Sequence, residues 1–235
     1  MAILRGLVDL LFPPACQVCR TPDPAVLCAA CRERFRLIQP PVCDRCGRPL
    51  RGPPGLDFSC IPCRGRRLHF RRARAVGVYE GSLREAIHAL KFGGRIALSE
   101  PLGLLMAQVA VSDPALACAD LVVPVPLHPT RLAERGFNQA ELLGREVAAA
   151  LGKPLAPQAL ARVRATAAQS RLEAAERRRN VRLAFAAGQV SSARSMLLVD
   201  DVFSTGCTAS DCARALRAAG AREVVVLTLA HSVLE

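Results

Sequence analysis

"LLVDDVFSTGCT", residues 197–208, joins an apolar run to two adjacent carboxylates, a hydroxyl-rich turn and the start of a helical pattern. Asp200 and Asp201 repel each other, yet they stand directly before a turn whose composition suits an anion. A strand feeding a helix through Ser204, Thr205, Gly206, Cys207 and Thr208 presents backbone N–H groups at a helix N-terminus, with hydroxyls alongside and Gly206 permitting close approach. Such a turn cradles a phosphate. It is not a Walker loop, because GxxxxGK[ST] is absent, nor a dinucleotide fingerprint, because no GxGxxG follows a strand. The two carboxylates would repel a bound phosphate unless they addressed vicinal hydroxyls or a metal, and a phosphorylated ribose carries both features.

Working outward, residues 75–235 read as strands alternating with helices. "RARAVGVYEG" predicts a strand, "SLREAIHALKF" a helix ending at Gly93 and Gly94, "LSEPLGLLMAQVA" a second helix and "ADLVVPVPL" a short buried strand. "HPTRLAERGF" reads as a polar loop, and a helix follows in "NQAELLGREVAAALG", with Asn138 as cap and Gly152 as stop. Residues 153–195 have weak periodicity and many charges, which predicts a long functional loop with a short hairpin, or a flap. "SMLLVD" predicts a strand, "TASDCARALRAAG" a helix with Thr208 and Asp211 in capping-box spacing, and "REVVVLTLAH" a closing strand. The alternation implies an α/β fold, a mostly parallel sheet with helices on both faces, whose ligands bind at the carboxyl ends of the strands.

The N-terminal region obeys different physics. Before residue 65 lie four CxxC pairs, Cys16/Cys19, Cys28/Cys31, Cys43/Cys46 and Cys60/Cys63, among ten prolines. Each pair can form a knuckle presenting two thiolates, and two knuckles close a tetrahedral site, so two structural zinc sites are expected. Sequential pairing of the knuckles is simplest, a crossed arrangement satisfies the same spacing, and iron binds the same ligands. Gly47 suits the tight turn of a knuckle. Too small and proline-rich to bury a core, such a segment draws its folding free energy from metal, on the order of 10 kcal/mol per site. Cys118, Cys207 and Cys212 stand apart and read as small apolar packers. The expected boundary places a small zinc-ribbon domain at 1–68 and the α/β domain at 69–235, joined through the Arg-rich stretch "RGRRLHFRRARA".

The formal net charge of +12 invites a nucleic-acid reading. Eight zinc thiolates and two divalent ions lower it by four, to +8. Lys91 and Lys153 are the two lysines and the other basic residues are Arg, a bias that GC-rich coding produces unaided, so charge is modest support for DNA or RNA. Its rarity singles out Lys91 for a specific role. No apolar stretch reaches the roughly 20 residues of a membrane span. The opening "MAILRGLVDLLFPPAC" has Arg5 and Asp9 within its apolar part, which predicts a short amphipathic helix ended by Pro13 and Pro14, and a cytoplasmic protein.

The order strand, two acids, spacer and Thr-Gly-x-Thr closely resembles the signature of the type I phosphoribosyltransferases. The whole chain is similar to the ComF family through "LLFPPAC", "CDRCGRP", "AIHALKFGG", "VPVPLHPTRLAERGFNQA", "RVRATAAQSRLEAAERRRNVRLAF" and the terminal motif. The resemblance implies a double zinc ribbon on a phosphoribosyltransferase-like domain. It implies that Asp200 and Asp201 meet the ribose of phosphoribosyl pyrophosphate (PRPP), that residues 204–208 hold its 5′-phosphate, and that Arg131 and Arg135 grip its diphosphate with Mg²⁺. It also implies a catalytic flap carrying Arg162, Gln169, Arg177 and Asn180. The resemblance further implies a link to natural competence and DNA uptake, with single-stranded DNA and competence proteins as expected partners. Phosphoribosyl transfer to an acceptor is one expectation. A non-catalytic DNA- or protein-binding module with a sensing or vestigial PRPP site, contacting DNA through the ribbons and the Arg64–Arg74 cluster, is the other.

Overall fold

In β6, residues Glu223–His231, eight of nine residues are buried, which a strand achieves only when both faces of its sheet are covered. The computed structural model describes residues 13–50, 59–164, 183–188 and 195–233; the predicted N-terminal helix over 1–12 lies outside them. The elements in chain order are α1 (Ala29–Glu33), β1 (Arg72–Val78), α2 (Gly81–Phe92), α3 (Ser99–Ser112), α4 (Pro114–Ala117), β2 (Leu121–Pro124), α5 (Pro129–Arg135), α6 (Gln139–Leu151), β3 (Leu160–Arg162), β4 (Phe185–Ala187), β5 (Ser195–Phe203), α7 (Cys207–Ala218) and β6. The main sheet runs β1-β6-β5-β2 with every pairing parallel, and β3 pairs antiparallel with β4.

Side-chain alternation divides the core in two. Leu197 and Val199 of β5, with Val225 of β6, face α2, α3 and α6, while Met196 and Leu198 face α7 and the β3–β4 hairpin. The ribbons divide the same way. Cys16, Cys28, Cys31 and Phe35 join the first cluster, and Cys43, Cys46, Cys60 and Cys63 join the second, so the two ribbons straddle the sheet.

They meet at the outer edge of β1, where an unpaired strand would otherwise expose its amides. Ile38 N–H donates to Val76 O at 2.9 Å, Val78 N–H to Arg36 O at 2.8 Å and Ala73 N–H to Arg45 O at 2.8 Å. On the opposite edge Val122 exchanges bonds with Pro154 O and the Ala156 N–H. Arg72 and Arg74 both pair with Asp113, which also caps α4, and Arg74 Nη1 reaches the carbonyls of Cys43 and Asp44 at 3.4 Å.

The predicted elements return with three corrections. Residues 129–135 form helix α5 instead of a loop: His128 accepts from Thr130 N–H, Pro129 occupies the first turn and Gly136 ends it in the left-handed region. β5 continues three residues beyond Asp200, so both aspartates belong to the strand. α7 starts at Cys207 on an unassisted Gly206, so Thr208 is not its cap; Asp211 instead accepts from the N–H groups of Leu183 and Ala184. Among the lone cysteines Cys212 is buried as expected, whereas Cys118 is exposed. No helix among the described residues is long and apolar enough to cross a membrane.

Gly47 carries the docking of the second ribbon. Its φ is +73°, and a Cβ there would stand 2.7 Å from the Ala73 carbonyl oxygen. Gly47→Ala should lower unfolding free energy by about 2 kcal/mol or more, read as a shift of the urea midpoint.

Candidate functional site

Four sulfurs can hold one tetrahedral ion when their separations approach ~3.8 Å, the edge set by Zn–S bonds near 2.3 Å. Cys16, Cys19, Cys28 and Cys31 converge in one cluster and Cys43, Cys46, Cys60 and Cys63 in another, each within 4.8 Å. The sulfurs of Cys16 and Cys31 are 3.9 Å apart, those of Cys19 and Cys28 3.7 Å, and those of Cys46 and Cys60 3.6 Å. These spacings suit a shared ion and are too long for disulfides. The pairing is sequential. Backbone N–H groups of Val18 and Cys28 point at Cys16 Sγ and that of Cys60 at Cys43 Sγ. Burial raises the Cys43 thiol, but hydrogen bonds from the amides of Cys46, Cys60 and Arg45 outweigh it and bring it down to about 7, whereas burial pushes the Cys46 and Cys63 thiols of the same cluster up, a cost that a bound cation would offset.

The acidic pair lies at the carboxyl end of β5. Asp201 is buried, and its Oδ2 stands 2.7 Å from Lys91 Nζ at the end of α2. This ion pair is the role of the singled-out lysine. Asp200 Oδ1 accepts from the Asp201 N–H at 2.9 Å. Burial, then repulsion from Asp201, push Asp200 up to about 7, against attraction to Lys91 and Arg162. The turn follows at once. Gly206 has φ +74° and packs so tightly that a Cβ would lie 2.6 Å from Phe203 Cζ. The first intrahelical bond runs from Ser210 N–H to Gly206 O, and amides ahead of it have no intrahelical acceptor. Thr205 Oγ1 donates to Cys207 Sγ at 3.0 Å. Ser204, Thr205, Cys207 and Thr208 are all half-buried around the turn.

Of the two predicted diphosphate arginines, Arg135 lies over the Phe92 ring, 5.3 Å from its centroid, is bonded to Gln139 Oε1 and feels the Asp201 charge. Arg131 is exposed on α5. Arg162 in β3 stacks on Phe185 at 5.5 Å, and its charge only weakly opposes the raised proton affinity of Asp200. Gln169, Arg177 and Asn180 lie outside the described residues. The Arg64–Arg74 cluster is largely committed to the protein itself: Arg71 pairs with Glu223, Arg72 and Arg74 with Asp113, and Arg66 donates to Thr205 O.

Two site neighbours escaped sequence reading. Asp211 bonds the start of β4 and pairs with Arg214 at 2.8 Å, tying the hairpin to the helix that begins at the turn. His231, at the end of β6, is buried and stacked on Phe203 at 5.0 Å; burial and then the Arg48 charge push it down to about 4. His231 belongs to no local motif, and the capping-box spacing of Asp211 points to a partner other than the one it takes.

A double ribbon of four-cysteine clusters on a parallel α/β sheet, with an acidic pair and a glycine turn into a helix at one strand end, defines the class. The double zinc ribbon domain family matches residues 7–65. The DNA utilization protein YhgH of Salmonella typhimurium is 33% identical over 229 residues, 95% of this chain and 99% of that protein. Competence protein F of Haemophilus influenzae is 30% identical over 213 residues, 88% of this chain and 90% of that protein. The chain belongs to the ComF competence-protein family. Among solved structures, glutamine PRPP amidotransferase from B. subtilis, complexed with ADP and GMP, has a TM-score of 0.37 at 24% identity over 57% of this chain and 26% of that one, too loose a likeness to carry an argument.

Two measurements check the site. Metal analysis should find two zinc ions per chain, Cys19→Ser and Cys46→Ser each losing one of them; one ion, or iron, would contradict the assignment. Asp200 holds its proton more tightly folded, at about 7, than at its ordinary 3.8, so ionising it costs stability increasingly from pH 4 to 7 and fully above 7. Asp200→Asn should therefore be the more stable protein at pH 8, by about 1–3 kcal/mol in urea titrations, with the gap closing toward pH 4.

Proposed function

We propose that the chain binds PRPP with Mg²⁺ at the carboxyl end of β5 and serves DNA utilization or competence, the roles named in its relatives. The observation that carries this reading is the sequence of environments along one strand end: Lys91 neutralises Asp201, Asp200 stays half-buried beside it, and Gly206 opens a helix start within the same turn. Vicinal hydroxyls are donors that two carboxylates accept without competition from the phosphate held at the amides. Arg135 and Arg162 bring positive charge to the two sides of the aspartates, where a diphosphate leaving group needs it.

Asp200 accepts one backbone N–H and makes no direct ion pair among the described residues, which suits a metal that arrives on its ligand rather than one caged by protein. Mg²⁺ bound with the diphosphate would supply neutralisation of its charge, and Asp200 is the carboxylate that could help to hold it. The chain's own residues orient the ribose through Asp200 and Asp201, hold the 5′-phosphate at residues 204–208 and bring the Arg162 charge beside Asp200. Transfer of the ribosyl group to a nitrogen acceptor is the reaction this arrangement favours, and the flap residues Gln169, Arg177 and Asn180 would act on the same diphosphate.

DNA contact through the Arg64–Arg74 cluster loses support, because four of its arginines engage the protein's own groups. Calorimetric titration with PRPP and Mg²⁺ tests the proposal. Wild type should bind, Asp200→Asn/Asp201→Asn should lose at least about tenfold in affinity, and Arg135→Ala should weaken PRPP more than ribose 5-phosphate. Equal affinity in wild type and the double variant would overturn the ribose assignment.

A further inference from the structure

A trans peptide points its carbonyl oxygen and the next N–H in opposite directions. Between β5 and α7 that peptide is Thr205–Gly206. Glycine leaves such a peptide free to flip, because both of its φ basins are open. Here the orientation is set from outside the domain: Arg66 Nη2 donates to Thr205 O at 2.9 Å, from a residue 139 positions earlier. With its carbonyl turned to Arg66, the peptide must direct the Gly206 N–H to the other side, where the helix start opens.

Arg66 is itself placed by the second four-cysteine cluster. Its N–H donates to Cys63 O at 3.3 Å, and the Arg64 N–H reaches Cys60 O at 3.2 Å and Ile61 O at 3.1 Å, closing the last knuckle. The same seam is fixed twice more. His69 N–H donates to Ser210 Oγ at 3.2 Å in the first turn of α7, and Phe70 meets Phe203 edge-on at 5.9 Å. A narrow crevice separates ribbon from turn, lined by Cys46, Cys60, Cys63, Arg66, Ser204 and Thr205. A guanidinium is the side chain long and charged enough to span such a gap and still make a strong bond to a neutral carbonyl.

We propose that Arg66 is a positioning residue of the phosphate turn: through the Thr205 carbonyl, the second zinc ribbon holds the Gly206 amide toward the ligand and so sets the affinity for the 5′-phosphate. The inference rests on the phosphate reading of residues 204–208. It gives the second ribbon a function in the binding site, and it assigns none to the first, whose cysteines pack on the opposite face of the sheet.

Calorimetry on the full chain with ribose 5-phosphate and, separately, inorganic pyrophosphate tests it, with metal content measured on each protein. Arg66→Ala should weaken ribose 5-phosphate about tenfold, leave pyrophosphate within about twofold and keep the wild-type zinc content; Arg66→Lys should recover part of the loss. Wild-type affinity for ribose 5-phosphate in Arg66→Ala, or equal weakening of both probes, would overturn the coupling. If Arg66→Ala loses zinc, Arg66→Lys carries the test, and undiminished ribose 5-phosphate binding there overturns the coupling too. A wild-type protein that binds neither ribose 5-phosphate nor PRPP would overturn the phosphate reading itself, and this inference with it.

Discussion

The outer edge of β1 is the constraint on which the architecture depends. A proline-rich segment built around metal knuckles has almost no core of its own, and an open parallel sheet exposes unpaired amides along an edge that nothing covers. Each supplies what the other lacks. The linker between the ribbons bonds to β1 at Arg36 and Ile38, the second ribbon bonds to it at Arg45, and Arg74 turns back to the carbonyls of Cys43 and Asp44. Because residues alternate across a sheet, ribbons attached at one edge can cover both faces, and the first joins α2 while the second reaches α7. The second ribbon thereby comes to lie against the turn at residues 204–208, which no sequence proximity would suggest.

The parts legible in the sequence were those encoded locally. CxxC spacing announces a knuckle, apolar runs in β5 and β6 announce buried parallel strands, and Asn138 and Gly152 bracket α6 by their own chemistry. α5 was equally local: Pro129 in its first turn and Gly136 at its end are ordinary helix signals, masked by the polar character of the residues between them. The expected capping of α7 fails for a different reason. Thr208 and Asp211 have capping-box spacing, but Asp211 is recruited by the amides of Leu183 and Ala184, a tertiary partnership that overrides the local pattern. Lys91 with Asp201 and Arg66 with Thr205 join residues more than a hundred positions apart, so composition hinted at the first and nothing hinted at the second.

The site accepts a local penalty. Two adjacent carboxylates at a buried strand end are unfavourable even with Lys91 in place, and Asp200 carries the cost as a raised proton affinity. A helix start with a glycine pressed against Phe203 is likewise costly to alter. Features of this kind persist where a ligand uses them, and the phosphorylated sugar we propose would use both: hydroxyls for the acids, an anion for the amides. The most direct test is an amide NMR titration of the zinc-loaded chain with ribose 5-phosphate. The account predicts large shifts at Gly206 and Cys207, with the first ribbon unmoved; saturation by the ligand without change at residues 200–208 would contradict it.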